Sequence, residues 1–144
     1  MKVEVSVRGR LIGKYTVEVE ADGHRIFYDI PKEKGGDGKG PTPVHGLLSS
    51  IIGCIGIIGR TLAEAMGFPI EELNVEVRGW YNPAAVRDRS LEATVNDIEV
   101  IVRIKSPKSK EEIEKFVEEI RRACFIEQTI EKPRDVRFIV EKIE

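Results

Sequence analysis

The chain reads as an α+β fold in which antiparallel sheets pack around one long central helix. Three observations predict this. The N-terminal third alternates apolar and charged residues, with turn signals between the runs. A single stretch from Gly40 to Met66 is apolar almost throughout. Two strand patterns, a helix pattern and a final strand pattern then follow, so strands and helices are segregated rather than strictly alternating. At 144 residues the chain fits a single domain, 1–144, large enough for a hydrophobic core.

Taken in order, Lys2 to Arg8 sets Val3, Val5 and Val7 against Lys2, Glu4 and Arg8, the pattern of a half-buried strand. Gly9 and Gly13 bracket a turn, and Tyr15, Val17 and Val19 alternate with Lys14, Glu18 and Glu20 in a second strand. Asp22-Gly23 is a strong hairpin signal and leads into a third strand, Arg25 to Ile30. Pro31 to Pro41 contains no apolar side chain beyond its prolines and predicts a mobile loop.

The Gly40–Met66 stretch predicts one helix. Thr42 suits the N-cap, Pro43 the first helical position, and Gly67 the stop. From Leu47 to Gly59 there is no charge, a run shorter than the roughly 20 residues a bilayer requires. Gly53, Gly56 and Gly59 each cost a helix about 1 kcal/mol relative to Ala, which points to close approach by another element. A helix apolar nearly all round is more than one antiparallel sheet can cover. The pattern therefore predicts a second subunit packed against it, as an obligate dimer.

Beyond the helix, Phe68-Pro69 turns the chain into a short helical step, Ile70 to Leu73, and Asn74 to Tyr81 forms a strand. Asn82 to Ser90 is polar. Leu91 to Lys105 contains a long strand in which Ile98, Val100, Val102 and Ile104 alternate with charged residues. Ser106-Pro107 ends it, and a helix begins near Ser109 with Ile113, Phe116, Val117, Ile120 and Ala123 on one face. Phe125 to Glu131 reads as a separate short helix, and Val136 to Val140 as a closing strand.

Composition narrows the function. The net charge is -2 and the pI about 5.8, without the basic surplus of a nucleic-acid binder. No charged region followed by an apolar stretch opens the chain, so the expected location is cytoplasmic, with no membrane attachment. The abundance of Glu, Lys and Ile suggests a thermophilic source. No cofactor motif is present. The Gly-rich loop GGDGKGPT lacks the Gly-Lys-Ser/Thr ending of a phosphate loop, and Pro41 and Pro43 remove amides such a loop would use. His24 and His45 stand in no zinc-like spacing with Cys, Asp or Glu. His45 also lies more than two helical turns from Cys54, which excludes a Cys-His pair within one subunit.

That leaves two thiols. Cys54 sits halfway along the central helix, with Ser50, Ile51, Ile57 and Ile58 as its helical neighbours, and Cys124 ends the apolar face of the second. Two cysteines are too few for a disulfide framework. They are either buried apolar residues or a peroxidatic thiolate with its resolving partner, oxidised through sulfenic acid to a disulfide. A mid-helix thiol gains little from the helix dipole, so a reactive Cys54 needs a nearby cation. Cys124 gains more if it opens the short helix.

GPTPVHGLLSSIIGC resembles the signature around the first cysteine of the OsmC/Ohr family, the osmotically inducible and organic-hydroperoxide-resistance proteins. Pro43 and Cys54 keep the family's spacing, and RRACFIEQTIE resembles its second motif, with Cys-Phe-Ile in place of the frequent Cys-Pro-Val. The resemblance covers essentially the whole chain. It implies an intertwined homodimer with sites at the subunit interface, and a thiol peroxidase for organic hydroperoxides restored by an external dithiol. Cys54 would attack and Cys124 resolve. The activating cation would come from the N-terminal strands, as Arg10 or Lys14, with Arg10 preferred. The Glu that orients this cation in the family is replaced by Val44 and His45, which implies a less activated thiol. The alternative is a non-catalytic module of the same fold that binds an apolar ligand or partner at the dimer cleft. A third reading makes Cys54–Cys124 a structural disulfide without turnover.

Overall fold

The computed structural model describes residues 1–143. The chain divides into two compact units, the first ending at Ser49 and the second beginning at Ser50.

In the first unit, strands β1 (Arg8–Leu11), β2 (Val17–Ala21) and β3 (His24–Tyr28) form an antiparallel sheet in that order. The β2–β3 hairpin turns at Asp22 and Gly23, whose φ values of 49° and 77° are what a two-residue hairpin demands. The loop that follows is pinned rather than loose. Asp29 is only 2% exposed, and its carboxylate accepts from Thr16 Oγ1 (2.7 Å), the Ile30 amide (2.8 Å) and the Lys39 amide (3.1 Å). Helix α1 (Pro43–Met66) starts in this unit, where the Thr42 carbonyl accepts from the Gly46 amide at 3.1 Å. Gly46 lies so close to the Tyr28 ring that a Cβ would clash with it.

In the second unit, β4 (Glu72–Trp80) and β5 (Asn96–Lys105) pair antiparallel, with Val75 opposite Val102 and Val77 opposite Val100. Ile51, Ile55, Gly59 and Ala63 form a buried stripe at four-residue spacing along α1. A Cβ added at Gly59 would stand 3.3 Å from Ile120 Cδ1 and 3.5 Å from Leu73 Cδ2. Helix α2 (Lys110–Ala123) is capped by Ser109, which accepts from the Glu112 amide, and it buries Phe116 and Ile120. The Phe116 ring stacks on Phe68 with centroids 4.1 Å apart. A one-residue break at Cys124 separates α2 from α3 (Phe125–Glu131).

Besides the loop, four further expectations are corrected. The first strand is Arg8–Leu11, whereas residues 2–7 are exposed and unpaired in any sheet, with Val5 83% exposed. Residues 136–140 likewise form no strand, and Phe138 is 91% exposed. Both segments carry strand-like alternation, but a ladder needs a neighbouring strand, and none lies beside them among the described residues. Ile70–Leu73 makes no helical step, because Leu73 is already in β4, opposite Ile104. Finally, the charge-free run sits within a 24-residue helix that is long and apolar enough, by length and composition alone, to cross a membrane. Its only charges are Arg60 and Glu64, so the run understates the helix.

Candidate active site: two thiols and a carboxylate cluster

Cys54 and Cys124 come together within the second unit. Cys54 is half-buried on α1 and Cys124 is fully buried at the α2–α3 break, both as free thiols. The helical stripe explains the first: Cys54 lies between Ile51 and Ile55, which face the interior. The break explains the second. The Cys124 amide closes α2 by donating to the Arg121 carbonyl at 3.3 Å, while its own carbonyl accepts from the Gln128 amide at 3.0 Å to start α3. Burial pushes the Cys124 thiol above its ordinary pKa. The neighbouring Cys54 thiol adds to the rise, and the amides of Glu127 and Ile126 act against it.

Cys124 opens onto a cavity of about 380 Å³. Its apolar wall comes from Ile51 and Ile55 of α1, Ile98, Val100 and Val102 of β5, and Val117 and Ile120 of α2. Its polar rim is Glu118, Arg121, Glu127 and Glu131. Arg121 clasps both α3 carboxylates, donating from Nη2 to Glu131 Oε1 at 2.6 Å and from Nε to Glu127 Oε1 at 3.3 Å. Gln128 Nε2 donates to the other Glu127 oxygen at 2.9 Å. Burial raises the Glu127 pKa, and hydrogen bonding to Glu131 raises it further. Glu131 goes the other way, held low by Arg121. Of the two carboxyls, Glu127 is therefore the one that takes up a proton first as the pH falls.

Arg10 and Lys14 belong to the first unit. Arg10 is exposed on β1 opposite Glu18, and the Lys14 ammonium lies 5.5 Å from the centre of the Tyr15 ring. His45 bonds through Nδ1 to Thr42 Oγ1 at 2.7 Å, a role at the helix start, and His24 opens β3. No cluster of three or more metal-ligating side chains occurs among the described residues. Sequence reading missed Arg121, Glu127 and Glu131. The available signal was spacing: Cys124-x-x-Glu127 has the form of a capping box, and Glu127 and Glu131 share a face one turn apart.

The family model described as OsmC-like protein matches residues 36–138. Among solved structures, an OsmC-like protein from Mycoplasma pneumoniae aligns with a TM-score of 0.79 at 23% identity, covering 91% of this chain and 89% of that one. An organic hydroperoxide resistance protein OsmC from Legionella pneumophila aligns at 0.66 and 17%, covering 89% of both chains. An OsmC-like hydroperoxide resistance protein from Jannaschia sp. aligns at 0.60 and 20%, covering 93% and 89%. No curated protein sequence matches.

Proposed function

The chain belongs to the OsmC-like protein family, and from that premise we propose that it is a thiol peroxidase for organic hydroperoxides. The observation that carries this reading is the proximity of Cys54 and Cys124, residues at different helices, close enough that the Cys54 thiol raises the pKa of Cys124. Cys54, the less buried sulfur, attacks the peroxide as a thiolate. One oxygen transfers to sulfur as sulfenic acid and the other leaves as an alkoxide, which takes up a proton. Cys124 then displaces hydroxide from that sulfur, closing the disulfide and releasing water. An external dithiol reopens it by exchange. The cavity beside Cys124, whose aliphatic wall includes Ile51 and Ile55 on either side of Cys54 in α1, suits an organic rather than an inorganic peroxide. The relatives named as hydroperoxide resistance proteins agree with this class of substrate.

The working form in this proposal is a cytoplasmic homodimer. Gly53 and Gly56 have nothing within 4 Å of where a Cβ would stand, and Ile57 is 70% exposed on the same helix. A second copy would cover that face. Arg10 is the proposed source of the cation that sustains the Cys54 thiolate. The direct test follows cumene hydroperoxide consumption with a dithiol. Wild type should turn over and Cys54→Ser should fall to background. Background rates for both would refute the enzyme and leave the module that binds an apolar ligand.

A further inference from the structure

The thiol that must lose a proton to close the disulfide is the one least suited to do so alone. Cys124 is fully buried and its pKa is raised, so little thiolate exists at neutral pH. The two amides that favour ionisation do not reverse the effect of burial. A base within the same cavity would remove the difficulty, and the structure holds a carboxylate there.

We propose that Glu127 is the proton acceptor for Cys124 in the disulfide-forming step, with Arg121 as its positioning residue. Three placements support this. Glu127 is the third residue of α3, three beyond the N-cap Cys124, and its side chain is only 15% exposed. Both residues line the 380 Å³ cavity. Arg121 Nε and Gln128 Nε2 hold the two carboxyl oxygens from opposite sides, fixing the group without neutralising it through a close bidentate pair. The shorter arm of Arg121, 2.6 Å, goes to Glu131 instead.

The Cys54 sulfur enters as sulfenic acid, and Cys124 enters as a thiol. Glu127 takes the Cys124 proton while that sulfur attacks Cys54. The sulfur–sulfur bond forms, the Cys54 sulfur–oxygen bond breaks, and hydroxide leaves with the proton Glu127 took. The products are the disulfide, one water and a carboxylate ready for the next turnover. A carboxylate with a raised pKa is a stronger base, so burial aids the acceptor while it handicaps the donor. The groups facing Glu127 set its pH response: Arg121 and Glu118 from α2, Glu131 and Gln128 from α3, and Cys124 at the break. The α1 and β5 walls, Ile51, Ile55, Ile98, Val100 and Val102, add only aliphatic side chains.

This inference rests on the peroxidase reading, and one experiment separates the two. Reduced protein is mixed with one equivalent of cumene hydroperoxide, quenched at intervals, and assayed by mass for disulfide and for a dimedone adduct at Cys54. Wild type should close its disulfide quickly. Glu127→Gln should accumulate the trappable sulfenic acid and close about 100-fold more slowly. Its residual rate should climb roughly tenfold per pH unit through the neutral range, because the unassisted thiol must ionise first. Glu127→Asp should recover part of the rate and the shallower profile. Closure of Glu127→Gln at the wild-type rate, or a slower rate with the wild-type pH profile, would overturn the assignment. Absence of any dimedone adduct in Cys124→Ser would instead overturn the peroxidase reading itself.

Discussion

Asp29 and Glu127 are both carboxylates withdrawn from water, and their surroundings push them in opposite directions. Asp29 is held below the ordinary carboxylate value, first by the Thr16 hydroxyl and then by the amides of Lys39 and Ile30, which together outweigh its burial. Glu127 is raised, because burial leads and its neighbour Glu131 adds a second negative charge, with Arg121 compensating only in part. Burial alone therefore does not mark a reactive group. What matters is whether the fold supplies donors for the charged form. Asp29 is met by its own loop and has a structural role. Glu127 and Cys124 are both raised, which pairs a thiol that resists ionising with a carboxylate that takes up protons more readily than usual.

The largest expected effect breaks the satisfied member of that pair. Asp29→Ala removes the acceptor of the Ile30 and Lys39 amides and leaves the Thr16 hydroxyl only the more distant Asp37 Oδ2, at 3.4 Å. Each buried donor left without a partner costs about 1–3 kcal/mol, so the variant should lose about 3 kcal/mol or more in denaturant unfolding. The pH dependence follows from the depressed pKa. The stability Asp29 contributes is complete above the unfolded carboxylate value of about 4 and is lost as pH falls through the lower folded value. The stability gap between wild type and Asp29→Asn should therefore narrow only in acid. A gap that stayed constant down to the acid transition would remove the carboxylate's charge from the account.

A smaller effect of opposite sign is expected at the other carboxylate. A raised folded pKa means that Glu127 contributes stability below its unfolded value and loses it as pH rises through the folded value. At neutral pH and above, ionised Glu127 works against folding. Glu127→Gln keeps the shape and removes that charge, so its Tm should stay level or rise, even as the disulfide step slows. A fall comparable to that of Asp29→Asn would make Glu127 a structural anchor like Asp29 and erase the distinction.

The two regions also differ in how far the sequence discloses them. Cys54 and Cys124 were legible because a thiol in a charge-free helix stands out, and because the Pro43–Cys54 spacing has a familiar form. The helices were legible through Thr42, Pro43, Gly67 and Ser109, each of which acts on its own local backbone. Asp29 was hidden within what read as strand and loop, since its partners are 13 and 10 positions away. Glu127 looked like any surface helix residue, because periodicity reports a face and not what stands opposite it. The overturned strands teach the same limit from the other side. Val3, Val5 and Val7, like Val136, Phe138 and Val140, have the alternation of a strand, but pairing depends on a neighbour that local pattern does not encode.

The smallest effect sharpens the contrast between a position already met by its neighbours and one left open, this time on α1. Gly59 is met: an added Cβ would press on Ile120 at 3.3 Å, tight enough that the side chain must give by a few tenths of an ångström. Gly53 and Gly56 are open, with nothing within 4 Å. Replacing a helix-interior Gly by Ala gains about 1 kcal/mol where space allows. If α1 faces water at those two positions, Gly53→Ala and Gly56→Ala should each stabilise the protein by that amount at any concentration, while Gly59→Ala gains less. If a second copy packs on them, the gain should vanish or reverse at high concentration and reappear on dilution, because the penalty falls on association rather than on the protomer. Thermal unfolding of the three variants across a hundredfold concentration range distinguishes these outcomes. A concentration-independent gain at both open glycines would remove the dimer from the proposed mechanism while leaving the pairing of the two thiols within one chain intact.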